Sequence, residues 1–228
     1  MLFQPWDELL HQYVSDRGLV DYQAWKQSTQ LTDWLEELSH IDPQQLSADR
    51  QLALWLNLYN ALTIKQILDR YPIKSILPKF LGISNWLAFF AFFSRPIYTL
   101  NRQRYSLSKI EHDILRQQKC EPRIHFALVC ASIGCPLLRN EAYTADRVRI
   151  QLDDDAKRFI NNPDKVYYDA KQEVLYCSKI FKWYGKDFLK VADSIPEYIQ
   201  TYLAPKVALN ASTPIKYLDY DWSLNRQI

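Results

Sequence analysis

Glycine is scarce in this chain. Only four occur in 228 residues, and none sits in a GxGxxG or GxxxxGK loop, which argues against nucleotide folds that cradle phosphates on glycine-rich turns. Charge of one sign is also lacking. The 28 basic and 26 acidic residues leave a formal +2, with no excess field for phosphate backbones and therefore no dedicated nucleic-acid role. No hydrophobic run is long: the most apolar window, Leu81 to Phe93, falls short of the roughly 20 residues of a bilayer span. The N-terminus has no basic stretch leading into an apolar one, as a secretory signal would. Four cysteines, at 120, 130, 135 and 177, form no CxxC and no disulfide framework, so a cytoplasmic chain with reduced thiols is expected.

What is present is apolar and aromatic. Hydrophobic residues make up 48%, enough for a sizeable core, and seven Trp with fifteen Tyr imply a stiff core of rings whose polar tips need partners. One domain over 1–228 is expected, with a helical part over about 1–117 and a strand-helix-hairpin part over about 118–228. The predicted fold class is α+β, mainly helical, with a buried central helix packed on a small antiparallel sheet. Periodicity predicts helices over Trp6 to Val14, Tyr22 to Leu38 and Gln51 to Arg70, the last capped by Ser47, stopped by Tyr71-Pro72 and apolar nearly all round. Thr144 caps a further helix whose Asp153-Asp154-Asp155 triplet is expected to face solvent. A hairpin is read around Asp169-Ala-Lys-Gln, a short helix after Ser178, a helix near Ile195 to Leu203 and a last strand from Ile215 to Asp221.

Asn57 and Asn60 share a face of the central helix, and buried amides must be satisfied. They either tie the helix to neighbouring backbone or stand beside a site, orienting an imidazole or donating to an oxyanion. Further on, Ser106 or Ser108 caps a helix in which Glu111 falls three residues after Ser108, the spacing of a capping box. His112, next to Glu111, has no comparable structural reason and is a candidate base.

The segment from Arg123 to Pro136 holds one of four histidines and two of four cysteines. Ile124 to Val129 reads as a strand covered on both faces, which would put His125 and Cys130 on opposite sides. Gly134 and Pro136 make Cys135 the N-cap of a helix over Pro136 to Glu141, where a thiol has its pKa lowered. Cys135 and Cys130 are thus competing nucleophiles, and Ser132 lies between them. The five-residue gaps do not match compact zinc spacings and lack the short loop of a CxxC redox pair. No metal and no cofactor is expected.

These pieces together resemble the DUF547 domain family. The resemblance rests on Val20-Asp21-Tyr22, Leu54-Trp-Leu-Asn-Leu-Tyr-Asn-Ala61, Tyr105-Ser-Leu-Ser-Lys-Ile-Glu-His112, the 123–136 segment and Tyr220-Asp-Trp-Ser-Leu-Asn225. It implies a cytosolic or envelope-associated domain without an assigned activity. The layout is also loosely similar to transglutaminase and papain-type cysteine enzymes, although the central helix here carries Asn57 and Asn60 and no cysteine. The leading expectation is a thiol-dependent hydrolase or acyl transferase acting on a small-molecule or peptide substrate. Cys135 or Cys130 is its nucleophile, His112 or His125 its base, and Glu111 orients an imidazole, with Asn57, Asn60 or Ser132 near the oxyanion. The alternatives are a non-catalytic interaction module, with the 81–93 segment meeting a membrane surface or a protein, and a metal or redox site on the Cys/His cluster. A sulfur within about 4 Å of an imidazole nitrogen would favour catalysis.

Overall fold

The structure is a computed structural model that describes residues 2–80, 82–117, 121–204 and 207–227; Leu81 and Cys120 lie outside them. Its organising element is a 21-residue helix, α4 (Ala48–Leu68), in which fifteen residues are buried. A helix this apolar has no solvent face to offer, so other elements must surround it. Around it pack α2 (Tyr22–Trp25), α3 (Gln30–Leu38), the helix Val148–Ile160 and the stretch from α6 (Leu107–Lys109) into a π-helical segment, Ile110–Arg116, while α1 (Gln4–Tyr13) packs on α2 and α3. The expected single helix from Tyr22 to Leu38 is broken in two. Ser28 and Thr29 turn their hydroxyls to local partners, Gln30 N–H and Asp33, which ends one helix and starts the next.

Between α4 and α6 lie two hairpins, β1 (Lys79–Phe80) with β2 (Ile83–Ser84) and β3 (Tyr98–Leu100) with β4 (Gln103–Tyr105). The helix α5 (Trp86–Ser94) separates them, capped by the Asn85 carboxamide accepting from Ala88 N–H. At α6 the cap is Ser106, whose Oγ accepts from Lys109 N–H. Glu111 is free of the expected capping box and turns inward.

A second apolar cluster gathers Phe126, the C-terminal half of α7 (Val148–Ile160), β5 (Val166–Asp169), β6 (Val174–Cys177), α8 (Ile180–Trp183), α9 (Gly185–Phe188) and α10 (Ile195–Tyr202). The β5–β6 hairpin forms at the predicted place. The strand β7 (Ile215–Tyr217) then joins β6 in parallel, so this sheet is mixed, and it packs within the second cluster while helices surround α4. The mainly helical α+β architecture with a buried central helix is as expected.

Three local expectations are corrected. Residues 124–129 form no strand: Pro122–Phe126 is a 3-10 helix, and Asn60 supplies the hydrogen bonds a neighbouring strand would have given, to Ala127 O and Val129 N–H. Pro136 to Glu141 is not helical. Asp155 does not face solvent: it is buried and accepts from Arg139 at 2.8 Å, Arg158 at 2.7 Å and the Tyr143 hydroxyl at 2.7 Å. Among the described residues no helix is long and apolar enough to cross a membrane.

Candidate functional site

Cys130 and Cys135 are joined in a disulfide, which corrects the expectation of two free, competing thiols. Ala131, between them and fully buried, turns the loop through the left-handed region at φ 63°, a costly conformation for a residue with a Cβ. The loop is held along the C-terminal segment. Ile133 N–H donates to Ser223 O at 2.8 Å, Gly134 N–H to Asp221 O at 2.7 Å, and Asn225 N–H to Ala131 O at 3.1 Å. Lys165 braces it from the other side, its Nζ donating to Ile133 O at 2.6 Å, and burial pulls that amine's pKa down.

This pairing brings the Tyr220 hydroxyl to both sulfurs, 3.2 Å from Cys135 Sγ and 3.4 Å from Cys130 Sγ. Cys135 Sγ also accepts from Cys130 N–H at 2.9 Å, and Ser132 Oγ lies 3.1 Å from Cys130 Sγ. Cys135 is buried and Cys130 half-buried. Burial pushes the Tyr220 phenol well above its ordinary value, which keeps its proton on and makes it a donor. The third described cysteine, Cys177, is buried in the second cluster, its thiol pushed up to about 12 by burial and so inert.

His125 goes elsewhere. Its Nε2 donates to Asp187 Oδ2 at 3.0 Å, and its ring stacks on Tyr184 with centroids 3.9 Å apart. Burial lowers the imidazole's pKa against the pull of Asp187 and Glu111, so the ring is neutral near pH 7. The hydrogen bond from His125, with those from Arg116 and Lys190, holds the Asp187 carboxyl well below the usual carboxylate range. His112 Nδ1 accepts from Arg116 Nη1 at 2.7 Å, so both candidate histidines meet the same Arg116–Asp187 pair. Neither imidazole is a hydrogen-bond partner of either sulfur among the described residues, so the expected thiol–imidazole pair is not formed.

Glu111 stands between the two groups. Its Oε2 accepts from the Tyr59 hydroxyl at 3.2 Å, while Oε1 is buried without a hydrogen-bond partner among the described residues. Among the described residues it hydrogen-bonds no imidazole; the carboxylate on His125 is that of Asp187. Its charge reaches His125, Tyr184 and Tyr220, after burial a contributor to raising both of those phenols. The π-helical winding of Ile110–Arg116 matters here, because π turns are rare and cluster at functional sites. Asn57 and Asn60 are committed to backbone: Asn57 donates to Tyr143 O at 2.8 Å and accepts from Tyr143 N–H at 2.9 Å, and Asn60 clamps Ala127 and Val129.

The space around the two groups differs. A cavity of about 760 Å³ is walled by Tyr220, Trp222, Lys74, Leu77 and Lys79. Beside His125 and Asp187 there is about 10 Å³, room for a single water. Among the described residues no group of three or more His, Cys, Asp or Glu side chains could hold a metal ion.

The family described as "Protein of unknown function, DUF547" matches residues 43–160, just over half of the chain. The chain belongs to that family. The DUF547 match contains Asn57, Asn60, Glu111, His112, His125 and the disulfide loop, whereas Tyr184, Asp187 and Tyr220 lie beyond it. No curated protein and no solved structure matches the chain, so the looser likeness to transglutaminase and papain-type enzymes has no counterpart among them. Sequence reasoning missed Tyr220 as a site residue although it opens the Tyr220-Asp-Trp-Ser-Leu-Asn225 piece. Asp187 and Arg116 carried no signal at all, since their pairing joins positions 71 residues apart.

Proposed function

We propose that this DUF547 chain performs thiol–disulfide exchange at Cys130–Cys135. The observation that carries the reading is the asymmetry of the pair: Cys135 is buried and its Sγ takes a backbone hydrogen bond from Cys130 N–H besides that of Tyr220 O–H, while Cys130 is half-buried and its Sγ meets only the side-chain hydroxyls of Ser132 and Tyr220. An external thiolate attacks Cys130 Sγ, the S–S bond breaks, and Cys135 leaves as a thiolate with two donors already in place. A second thiol of the same external reductant then attacks the mixed disulfide, leaves as the reductant's own disulfide and frees Cys130. Two electrons pass from the external dithiol to the pair. In the cytoplasm expected from the sequence, ambient thiols favour the open dithiol; an oxidising compartment favours the closed form.

A second reading concerns the reduced form, in which Cys135 serves as the nucleophile of a thiol-dependent hydrolase or acyl transferase. The cavity of about 760 Å³ with Tyr220 in its wall supports it, because that is ample room for a substrate beside the sulfur's own hydrogen-bond partner. Iodoacetamide labelling against pH, read by peptide mass spectrometry after native-state reduction, tests both. Labelling of Cys135 with an apparent pKa below the free value of about 8.5 is expected. Failure of the pair to open without denaturant, or labelling at or above the ordinary value, overturns the proposal. A thioester burst seen only after reduction and lost in Cys135→Ser would select the acyl-transfer reading over simple exchange.

A further inference from the structure

Outside this site, the most unusual surface is that of β2 and α5. Ile83 is 75% exposed, Leu87 84%, Phe90 61% and Trp86 48%, and the helix Trp86–Ser94 carries no charged residue. Single exposed apolar side chains are ordinary, but four together on two adjoining elements are not. The inner side of α5 is already used, with Phe89 against Trp222 at 5.0 Å and Phe92 buried, so the outer side is left to an external medium.

The charge around it is one-sided. Residues 70–110 contain seven lysines and arginines and no acidic residue, although the whole chain has an excess of only two. Lys74, Lys79 and Arg95 flank the apolar element, are exposed, and make no ion pair among the described residues. An exposed apolar helix face with a tryptophan at its edge and basic residues beside it fits an anionic lipid surface better than a protein partner, because its outward side chains Leu87 and Phe90 offer no hydrogen-bonding pattern and the charge of residues 70–110 is all of one sign.

We propose that β2 and α5 form a membrane-surface element that docks this chain on bilayers containing anionic lipid. Leu87 and Phe90 enter the acyl boundary, Trp86 sits at headgroup level, and Lys74, Lys79 and Arg95 face lipid phosphates. Nine residues of helix are too few to span a bilayer, so the element lies in the interface plane.

Co-sedimentation of the full chain with vesicles tests this. Binding to vesicles of equal parts phosphatidylserine and phosphatidylcholine, and not to phosphatidylcholine alone, is expected. Leu87→Asp should lower the partition on the order of tenfold or more through lost apolar insertion. Lys79→Glu with Arg95→Glu should lower it comparably while the apolar face stays intact. All these positions are exposed, so unchanged thermal melts are expected to accompany the losses. The proposal is overturned if the wild type stays in the supernatant with both vesicle types. It is equally overturned if neither variant weakens binding, or if the wild type is a dimer that Leu87→Asp dissolves without any vesicle binding.

Discussion

Tyr220 donates a hydrogen bond to the sulfur of Cys135 across 3.2 Å, although 85 residues separate them in the chain. The contact exists because the C-terminal segment pairs with the disulfide loop backbone to backbone, which fixes the phenol over the sulfur. In the reduced protein that hydroxyl would face a thiolate, and a hydrogen bond to a charged group is worth roughly 1.5–3 kcal/mol. Tyr220→Phe should therefore slow alkylation of reduced Cys135 at pH 7 by about tenfold. Equal labelling rates in wild type and variant would mean that the tyrosine only fills space.

The two helix asparagines call for a different measurement. Both ends of the Asn57 carboxamide are bound to Tyr143 backbone, so Asn57→Ala strands a buried N–H and a buried C=O. At roughly 1–3 kcal/mol for each orphaned group, a loss of about 3 kcal/mol is expected, or a fall in Tm of about 6–12 °C for a chain of this size. Calorimetry of the oxidised protein checks it. A change under 2 °C would show that water replaces the amide and that the clamp contributes little.

These asparagines also mark where the sequence was legible and where it was not. The central helix was readable because its start, its stop and its burial are all local or periodic: Ser47, Tyr71-Pro72 and an apolar surface on every side. That Asn57 and Asn60 needed partners was equally plain, but the partners sit 86 and 67 residues away. The Ile124-to-Val129 run misled for the same reason. An apolar run without alternation does not distinguish a two-sided strand from irregular backbone buried in a helical core, and here Asn60 makes the second possible. The disulfide was hidden because the loop that closes it turns through the left-handed region at Ala131, a conformation that alanine does not advertise.

Acid should weaken the protein in two stages. His125 is held below its ordinary 6.5 by burial, so the unfolded chain binds the extra proton and stability declines as pH falls below about 6.5. The Asp187 carboxyl is depressed, so its contribution is complete above the ordinary carboxylate value of about 4 and is lost as pH falls from there toward its folded value. Asp187→Asn should cost roughly 2 kcal/mol at pH 7, and the gap to wild type should begin to narrow as pH falls below about 4. Urea titrations at intervals between pH 7 and 3 would show it; a gap that stays constant across that range contradicts the assignment. His125→Ala should remove the upper stage and, by taking away the hydrogen bond that most depresses Asp187, shrink the lower one.

Gly134 offers the sharpest separation of site geometry from general stability. A Cβ at this position would lie 2.8 Å from two ring carbons of Tyr220 and 2.9 Å from the Asp221 carbonyl oxygen, and the second of these is backbone that cannot swing aside. Gly134→Ala must therefore push the C-terminal segment off the disulfide loop, at a cost of about 1–3 kcal/mol for the overpacked contact. It should also reproduce the slowed Cys135 labelling of Tyr220→Phe, because the phenol can no longer reach the sulfur. Gly185 serves as the control: a Cβ there meets nothing within 4 Å, and the residue begins a helix, so Gly185→Ala should leave labelling unchanged and stabilise by about 0.5–1 kcal/mol. If Gly134→Ala lowers stability yet labels at the wild-type rate, Tyr220 does not tune the sulfur.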